Sequence, residues 1–198
     1  GRINRIDGNF VITGVPKQSY DSNNQNYLSE AGAAYIFEFS SRGDWYQTVK
    51  LVSPERTYYR EFGSSVDISG DFAVVGERNN YTDENQGNTL SSAGAVFIYK
   101  RNSGNVWNQH QKIVASDRAT FKLFGSQLAL DGKTLVITSK QKVYIFEQGI
   151  DELWTETGKF DLPNYQTARN FSVSVSGDYA VVGLAENALD ENGLNSKS

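Results

Sequence analysis

The sequence predicts an all-β fold made of repeated four-stranded antiparallel units. Three observations carry this: β-forming composition, a repeat spaced by 62 residues, and turn glycines that fall in the same register in each copy. Of the 198 residues, 13% are aromatic, with 11 Tyr and 11 Phe, and 18 Gly stand beside only 3 Pro. Aromatic and β-branched residues suit a pleated, half-buried surface, and glycine supplies the tight turns between short strands.

The repeat is read directly from the chain. Asp7-Gly8-Asn9-Phe10-Val11-Ile12-Thr13-Gly14 returns as Ser69-Gly70-Asp71-Phe72-Ala73-Val74-Val75-Gly76, a shift of 62 positions. Ala31-Gly32-Ala33-Ala34-Tyr35-Ile36-Phe37 returns as Ala93-Gly94-Ala95-Val96-Phe97-Ile98-Tyr99, Trp45 as Trp107, and Lys50-Leu51 as Lys112-Ile113, all in that register. A third copy opens at Phe124-Gly125 and carries Asp131-Gly132, Val143-Tyr144-Ile145-Phe146, Trp154 and Lys159-Phe160. Trp154 follows Trp107 by only 47 positions. The deletion falls where residues 77 to 93 of the second copy shrink to Ser139-Lys140-Gln141-Lys142. A fourth copy begins near Arg169 and shows Val173 to Gly183 before the sequence stops at Ser198. The domain reading is one partial domain over 1–198, with repeats at about 1–62, 63–124, 125–168 and an incomplete 169–198.

Each unit reads as four strands. In the second copy they are expected at Ser65 to Ser69, Phe72 to Val75, Ala95 to Lys100 and Val106 to Val114. Val66 and Ile68 alternate with polar neighbours, and Gly70-Asp71 supplies a hairpin turn. Ala95 to Tyr99 is apolar without alternation, as a strand covered on both faces should be. Four antiparallel strands repeated every 45 to 62 residues describe the blade of a β-propeller. A β-solenoid is disfavoured, since its coils repeat at about 20 to 30 residues. On this reading Trp45, Trp107 and Trp154 pack between blades. A closed propeller needs about four blades or more, so three and a half units predict an open arc. Its end faces, near Phe10 to Ile12 and Val173 to Val182, would be apolar and unpaired, and the remaining blades would come from the rest of the chain or from another chain.

Composition excludes several functions. A net charge of −4 and no basic stripe argue against nucleic acid, whose phosphates are met by clustered Lys and Arg. The longest apolar runs fall far short of the ~20 residues of a membrane-spanning helix. Without Cys there is neither a disulfide framework nor a thiol nucleophile.

The motifs resemble those of FG-GAP repeats, found in integrin α-subunit propellers and in many secreted multi-repeat proteins. Phe62-Gly63 and Phe124-Gly125 match the Phe-Gly element, and Gly14-Val15-Pro16 resembles the Gly-Ala-Pro element. Gly76-Glu77-Arg78 and Gly183-Leu184-Ala185 are weaker versions, while the third copy has Thr138-Ser139-Lys140 there and the fourth has Arg169-Asn170 in place of Phe-Gly. The resemblance implies calcium in the loop after Gly-Ala-Pro. The corresponding loops contain Asp21-Ser22-Asn23-Asn24-Gln25-Asn26, Asp83-Glu84-Asn85-Gln86-Gly87-Asn88 and Asp190-Glu191-Asn192-Gly193-Leu194-Asn195. The candidate ligands are Asp21, Asn23 and Gln25; Asp83, Asn85 and Gly87; and Asp190 and Asn192. Calcium takes carboxylate, amide and carbonyl oxygens in a flexible shell. The same residues also build ordinary metal-free turns, and only one carboxylate is common to the three loops.

Catalytic constellations are scarce. His110 is the only histidine, and Thr48 holds its place in the first copy. No GxSxG, phosphate-loop or dinucleotide signature occurs. Arg42-Gly43-Asp44, an adhesion tripeptide, aligns with the hairpin turn Gly104-Asn105-Val106, and Asn80-Tyr81-Thr82 and Asn170-Phe171-Ser172 fit the glycosylation sequon. The sequence therefore points to a non-enzymatic recognition or scaffold module of an extracellular or cell-surface protein, with a protein or glycan partner. The alternatives are a carbohydrate-binding module, with Tyr20, Tyr27 and Tyr81 stacking on sugars, and the propeller portion of a larger secreted enzyme.

Overall fold

The structure is a computed structural model that describes residues 3–140, 142–162 and 170–185. Among these, fourteen strands form four antiparallel sheets, and no helix occurs. The first sheet joins β1 (Ile3–Asp7), β2 (Phe10–Val15), β3 (Ala33–Phe39) and β4 (Trp45–Leu51) in chain order. The second joins β5 (Phe62–Ser69), β6 (Phe72–Glu77), β7 (Ala95–Arg101) and β8 (Trp107–Ile113). The third joins β9 (Gln127–Asp131), β10 (Thr134–Thr138), β11 (Lys142–Gln148) and β12 (Trp154–Asp161). The described part of the fourth is the hairpin β13 (Asn170–Ser176) and β14 (Tyr179–Ala185).

The expected strands of the second copy are present with small shifts. β5 begins at Phe62 rather than Ser65, because a register irregularity between Phe62 and Ser65 lets the Phe-Gly element pair with Glu77 before the regular ladder starts. An irregularity also recurs between the third and fourth strands of each complete sheet, at Ile36/Phe37, Ile98/Tyr99 and Ile145/Phe146. Ala95 to Tyr99 is buried throughout, as its unbroken apolar run requires.

Successive sheets face each other. Phe10, Ile12, Ala34 and Ile36 of the first pack on Val66, Ala73, Val75 and Phe97 of the second. Val74, Val96 and Ile98 on the opposite face of the second pack on Leu135, Ile137, Tyr144 and Phe146 of the third. The expectation of an unpaired face at Phe10 to Ile12 is therefore corrected: alternation turns Phe10 and Ile12 inward onto the second sheet, leaving only Val11 on the other face.

Backbone contacts explain the motif glycines. Gly32 and Gly94, at φ near +90°, form isolated bridges to Phe62, which opens the second sheet, and to Phe124, just before the third. A Cβ at either position would run into the backbone of that phenylalanine, so only glycine allows the approach. The hairpin turns are also stitched. The N–H groups of Gly70, Gly132 and Gly177 donate to the side chains of Asp7 (2.7 Å), Ser69 (3.1 Å) and Asp131 (2.7 Å) of the preceding turn.

Candidate functional site

The long connections between second and third strands, at 16–32 and 78–94, share one template. In each the aspartate is the keystone. Asp83 Oδ1 accepts the N–H groups of Asn85 (2.9 Å) and Gly87 (2.8 Å), and its Oδ2 accepts the Asn88 side-chain amide. Asp21 Oδ1 likewise accepts the N–H groups of Asn23 (2.9 Å) and Gln25 (2.8 Å), and Oδ2 accepts Asn26 Nδ2 at 2.6 Å. These bonds hold both carboxyls below the usual aspartate range, the N–H groups of Gln25 and Gly87 contributing most. Candidate ligands Asn23, Gln25, Asn85 and Gly87 thus meet their aspartate through backbone N–H donors. Asp190 and Asn192 lie outside the described residues.

The oxygens of these loops face cations of the protein itself. Lys112 Nζ, on β8, donates to the carbonyl of Asp83 (2.8 Å), to Thr82 Oγ1 (2.7 Å) and carbonyl (3.3 Å), and to Glu55 Oε1 (2.8 Å). Lys50 Nζ, its counterpart on β4, donates to the carbonyl of Asp21 (2.6 Å) and to Asn24 Oδ1 (2.9 Å). Both lysines are buried. Burial lowers the Lys112 pKa against the opposing pull of Glu55. Burial also acts to raise the Glu55 carboxyl, but hydrogen bonds from Lys112 and Thr82 outweigh it and hold the group below its ordinary value.

A second cation closes each loop from the next linker. Arg56 Nη2 reaches the carbonyls of Ser19 and Asn26, both at 3.2 Å. Arg118 reaches those of Tyr81 (2.8 Å) and Asn88 (3.1 Å), the equivalent positions. The linker pairs Glu55-Arg56 and Asp117-Arg118 therefore work in two directions: the acid reaches forward to a lysine of the following sheet, and the arginine reaches back to the preceding loop. Sequence reasoning missed these residues, although their 62-residue spacing was in plain view beside the motifs it used.

The keystone aspartate of each loop is already engaged by N–H donors, and the one carboxylate left free among the described residues of these loops, Glu84 of the second, is exposed and joins no cluster of acidic groups. Among the described residues no three Asp, Glu or His side chains gather in a metal-holding arrangement. Calcium takes about six to eight oxygens, and here the converging carbonyls already surround an ammonium.

The remaining candidates have structural partners. His110 is half-buried, its Nε2 is 3.0 Å from the Glu152 carbonyl oxygen, and its ring meets Phe72 edge-on. Arg42-Gly43-Asp44 forms the exposed tip of the β3–β4 turn, with Gly43 at φ 91°. Asn80 of the first sequon is fully buried and bonds Glu77 and Glu55. Tyr81 is not an exposed platform: the Arg60 guanidinium lies 3.6 Å over its ring. Tyr20 and Tyr27 are exposed and pack edge-to-face at 5.5 Å, and Tyr59 of the following linker donates its N–H to the Ser29 carbonyl of the same loop. A cleft of about 740 Å³ on the turn side includes Glu38, Asp71, Arg101, Asn105 and His110. Its charges are paired, Arg101 with Asp71 at 2.6 Å and Glu38 with the amide of Asn105 at 2.8 Å.

The family model for the FG-GAP repeat matches residues 45–99 and 107–146. The chain carries FG-GAP repeats. The matched segments run from Trp45 through the AGA strand of the second copy and from Trp107 to Phe146, so they take in both Phe-Gly elements and the Lys112 site. A comparison with curated proteins returns no match. Among solved structures, the FG-GAP chain is similar to a functionally unknown protein from Desulfotomaculum acetoxidans DSM 771, at 13% identity and a TM-score of 0.47. The alignment covers 80% of this chain and 56% of that one, so this chain spans little more than half of its length.

Proposed function

We propose that the four sheets are successive blades of a β-propeller, and that the module is a non-enzymatic recognition element of an extracellular or cell-surface protein. The FG-GAP repeats and the sheet-to-sheet stitching support the propeller. So do the two end faces. Trp107 and Trp154 are buried against the preceding sheet, whereas Trp45 on the first sheet is 46% exposed. At the other end Tyr179 and Val181 are exposed where their counterparts Phe72 and Val74 pack on the next sheet. Further blades, from this chain or another, would cover both.

The observation that carries the recognition role is the pair of long loops: one hydrogen-bonded template bears different exposed side chains. Tyr20 and Tyr27 in the first loop stand where the second has Thr82 and Thr89. A fixed frame with variable, exposed aromatics is how rigid scaffolds present binding surfaces. The test is partner capture with wild type and a Tyr20→Ala/Tyr27→Ala variant in parallel. A protein held by the first and released by the second supports the role; equal retention of every protein by both contradicts it.

The exposed tyrosine pair beside the Asn23 and Asn26 amides favours one second reading, a glycan partner. A glycan array decides it, with binding lost on Tyr27→Ala as the expected result and uniform blanks as the refutation.

A further inference from the structure

We propose that Lys50 and Lys112 are the resident cations of the two long loops, taking the place that a bound calcium ion would occupy, so that these loops are ordered without metal. The argument rests on the three copies of the repeat. Where the loop is present, the lysine of the fourth strand is buried and donates to the carbonyl of the loop's aspartate: Lys50 to Asp21 at 2.6 Å and Lys112 to Asp83 at 2.8 Å. In the third copy the loop has shrunk to a short turn. The equivalent Lys159 is then 37% exposed and reaches only the Ser116 hydroxyl (2.8 Å), Glu156 (3.7 Å) and Asp117 (3.8 Å). Burial of the lysine follows the presence of the loop, not the strand that carries it.

The charge arithmetic agrees. Around Lys112 the Glu55 carboxylate (2.8 Å), the Thr82 hydroxyl (2.7 Å) and the Asp83 carbonyl (2.8 Å) match the three donors of a single ammonium, with the Thr82 carbonyl farther off at 3.3 Å. A divalent ion beside that ammonium would meet like charge in a buried setting, and Asp83, which already accepts three N–H donors, would have to give them up to bind it, leaving only the exposed Glu84 carboxylate free among the described residues of that loop. The acid that balances Lys112 comes from the linker out of the first sheet, so the resident cation also ties neighbouring sheets together.

The experiment uses the whole chain, with Lys112→Met, Lys50→Met and Lys159→Met. Thermal unfolding and calcium titration calorimetry are run in chelator and in excess calcium, and loop opening is read by the rate of limited proteolysis within 21–26 and 83–88. Wild type is expected to show the same midpoint in both buffers, no calcium heat and slow loop cleavage. Lys112→Met and Lys50→Met should each speed cleavage of their own loop about tenfold, and Lys159→Met should leave both loops unchanged. Lys112→Met leaves the Glu55 carboxylate unpaired; if it does not fold, Lys50→Met, whose loop bonds no such carboxylate, decides the matter. A wild-type midpoint that falls in chelator, or unchanged cleavage of the first loop in Lys50→Met, overturns the proposal.

Discussion

The second and third sheets share strand order and connectivity, yet they treat one lysine in opposite ways. Lys112 has a side chain only 4% exposed and is enclosed by the 78–94 loop; Lys159, on the matching strand, lies at the surface of a sheet whose loop has been cut to a tight turn. The sheet survives without the loop, because its apolar faces and stitched turns do not involve it. The loop does not survive as a free segment: its carbonyls are satisfied by Lys112 from its own sheet and Arg118 from the next linker. The framework and the loop are thus separable structures, one apolar and constant, the other polar and held by cations.

The largest test of that contrast replaces each lysine by methionine. Lys112→Met removes one member of a buried ion pair and is expected to destabilise by about 3 to 5 kcal/mol, whereas Lys159→Met should stay within about 1 kcal/mol. Urea unfolding of the two variants measures the difference, and equal losses would break the comparison.

A second contrast is pH dependence. Glu77 is fully buried beside Asn80, Ser53 and Arg60, and burial outweighs those partners to push its pKa up to about 7, whereas the third sheet has Ser139 at that position. A carboxyl raised on folding favours the native state fully below its unfolded pKa and loses that contribution as pH climbs through the folded value. Stability should therefore fall between about pH 4.5 and 7, by about 3 kcal/mol at most. Glu77→Gln should flatten that limb and raise stability at neutral pH. An unchanged limb in stability measured across this range would contradict the assignment. The depressed pKa values of Glu55, Asp83 and Asp117 act oppositely, giving stability that is lost on acidification.

Smaller still is the effect of the keystone aspartates. Asp83→Ala should cost about 1 to 2 kcal/mol, because it removes a buried aspartate whose carboxylate accepts three donors, and Asp21→Ala less, because Asp21 is only half-buried and water can replace its bonds more readily. Thermal midpoints of the two single variants rank them.

Much of the framework was legible in the sequence because local signals determine it. The turn glycines, the AGA element and the alternation at Val66 and Ile68 fix strand starts to within three residues. Misplaced features depend on residues distant in the chain. Trp45 has the same local sequence role as Trp107, but its exposure follows from having no described sheet on that face. Tyr81 is covered by Arg60, from the linker that precedes its sheet, and periodicity does not reveal such a contact. The cationic clamp lay between these cases. Lys50/Lys112 and Glu55-Arg56/Asp117-Arg118 repeat at the same 62 positions as the glycines, but charged residues on strand ends and linkers read as ordinary solvated surface until three segments are seen to converge.

The claim that the long loops are rigid parts of the fold, held by the protein's own charges, is tested most directly by native-state amide exchange at Asn85 and Gly87 in chelator. Their N–H groups donate to Asp83 Oδ1 at 2.9 and 2.8 Å, so both amides should be strongly protected in wild type and lose that protection in Lys112→Met. Exchange at unprotected rates in the wild-type protein would contradict the account.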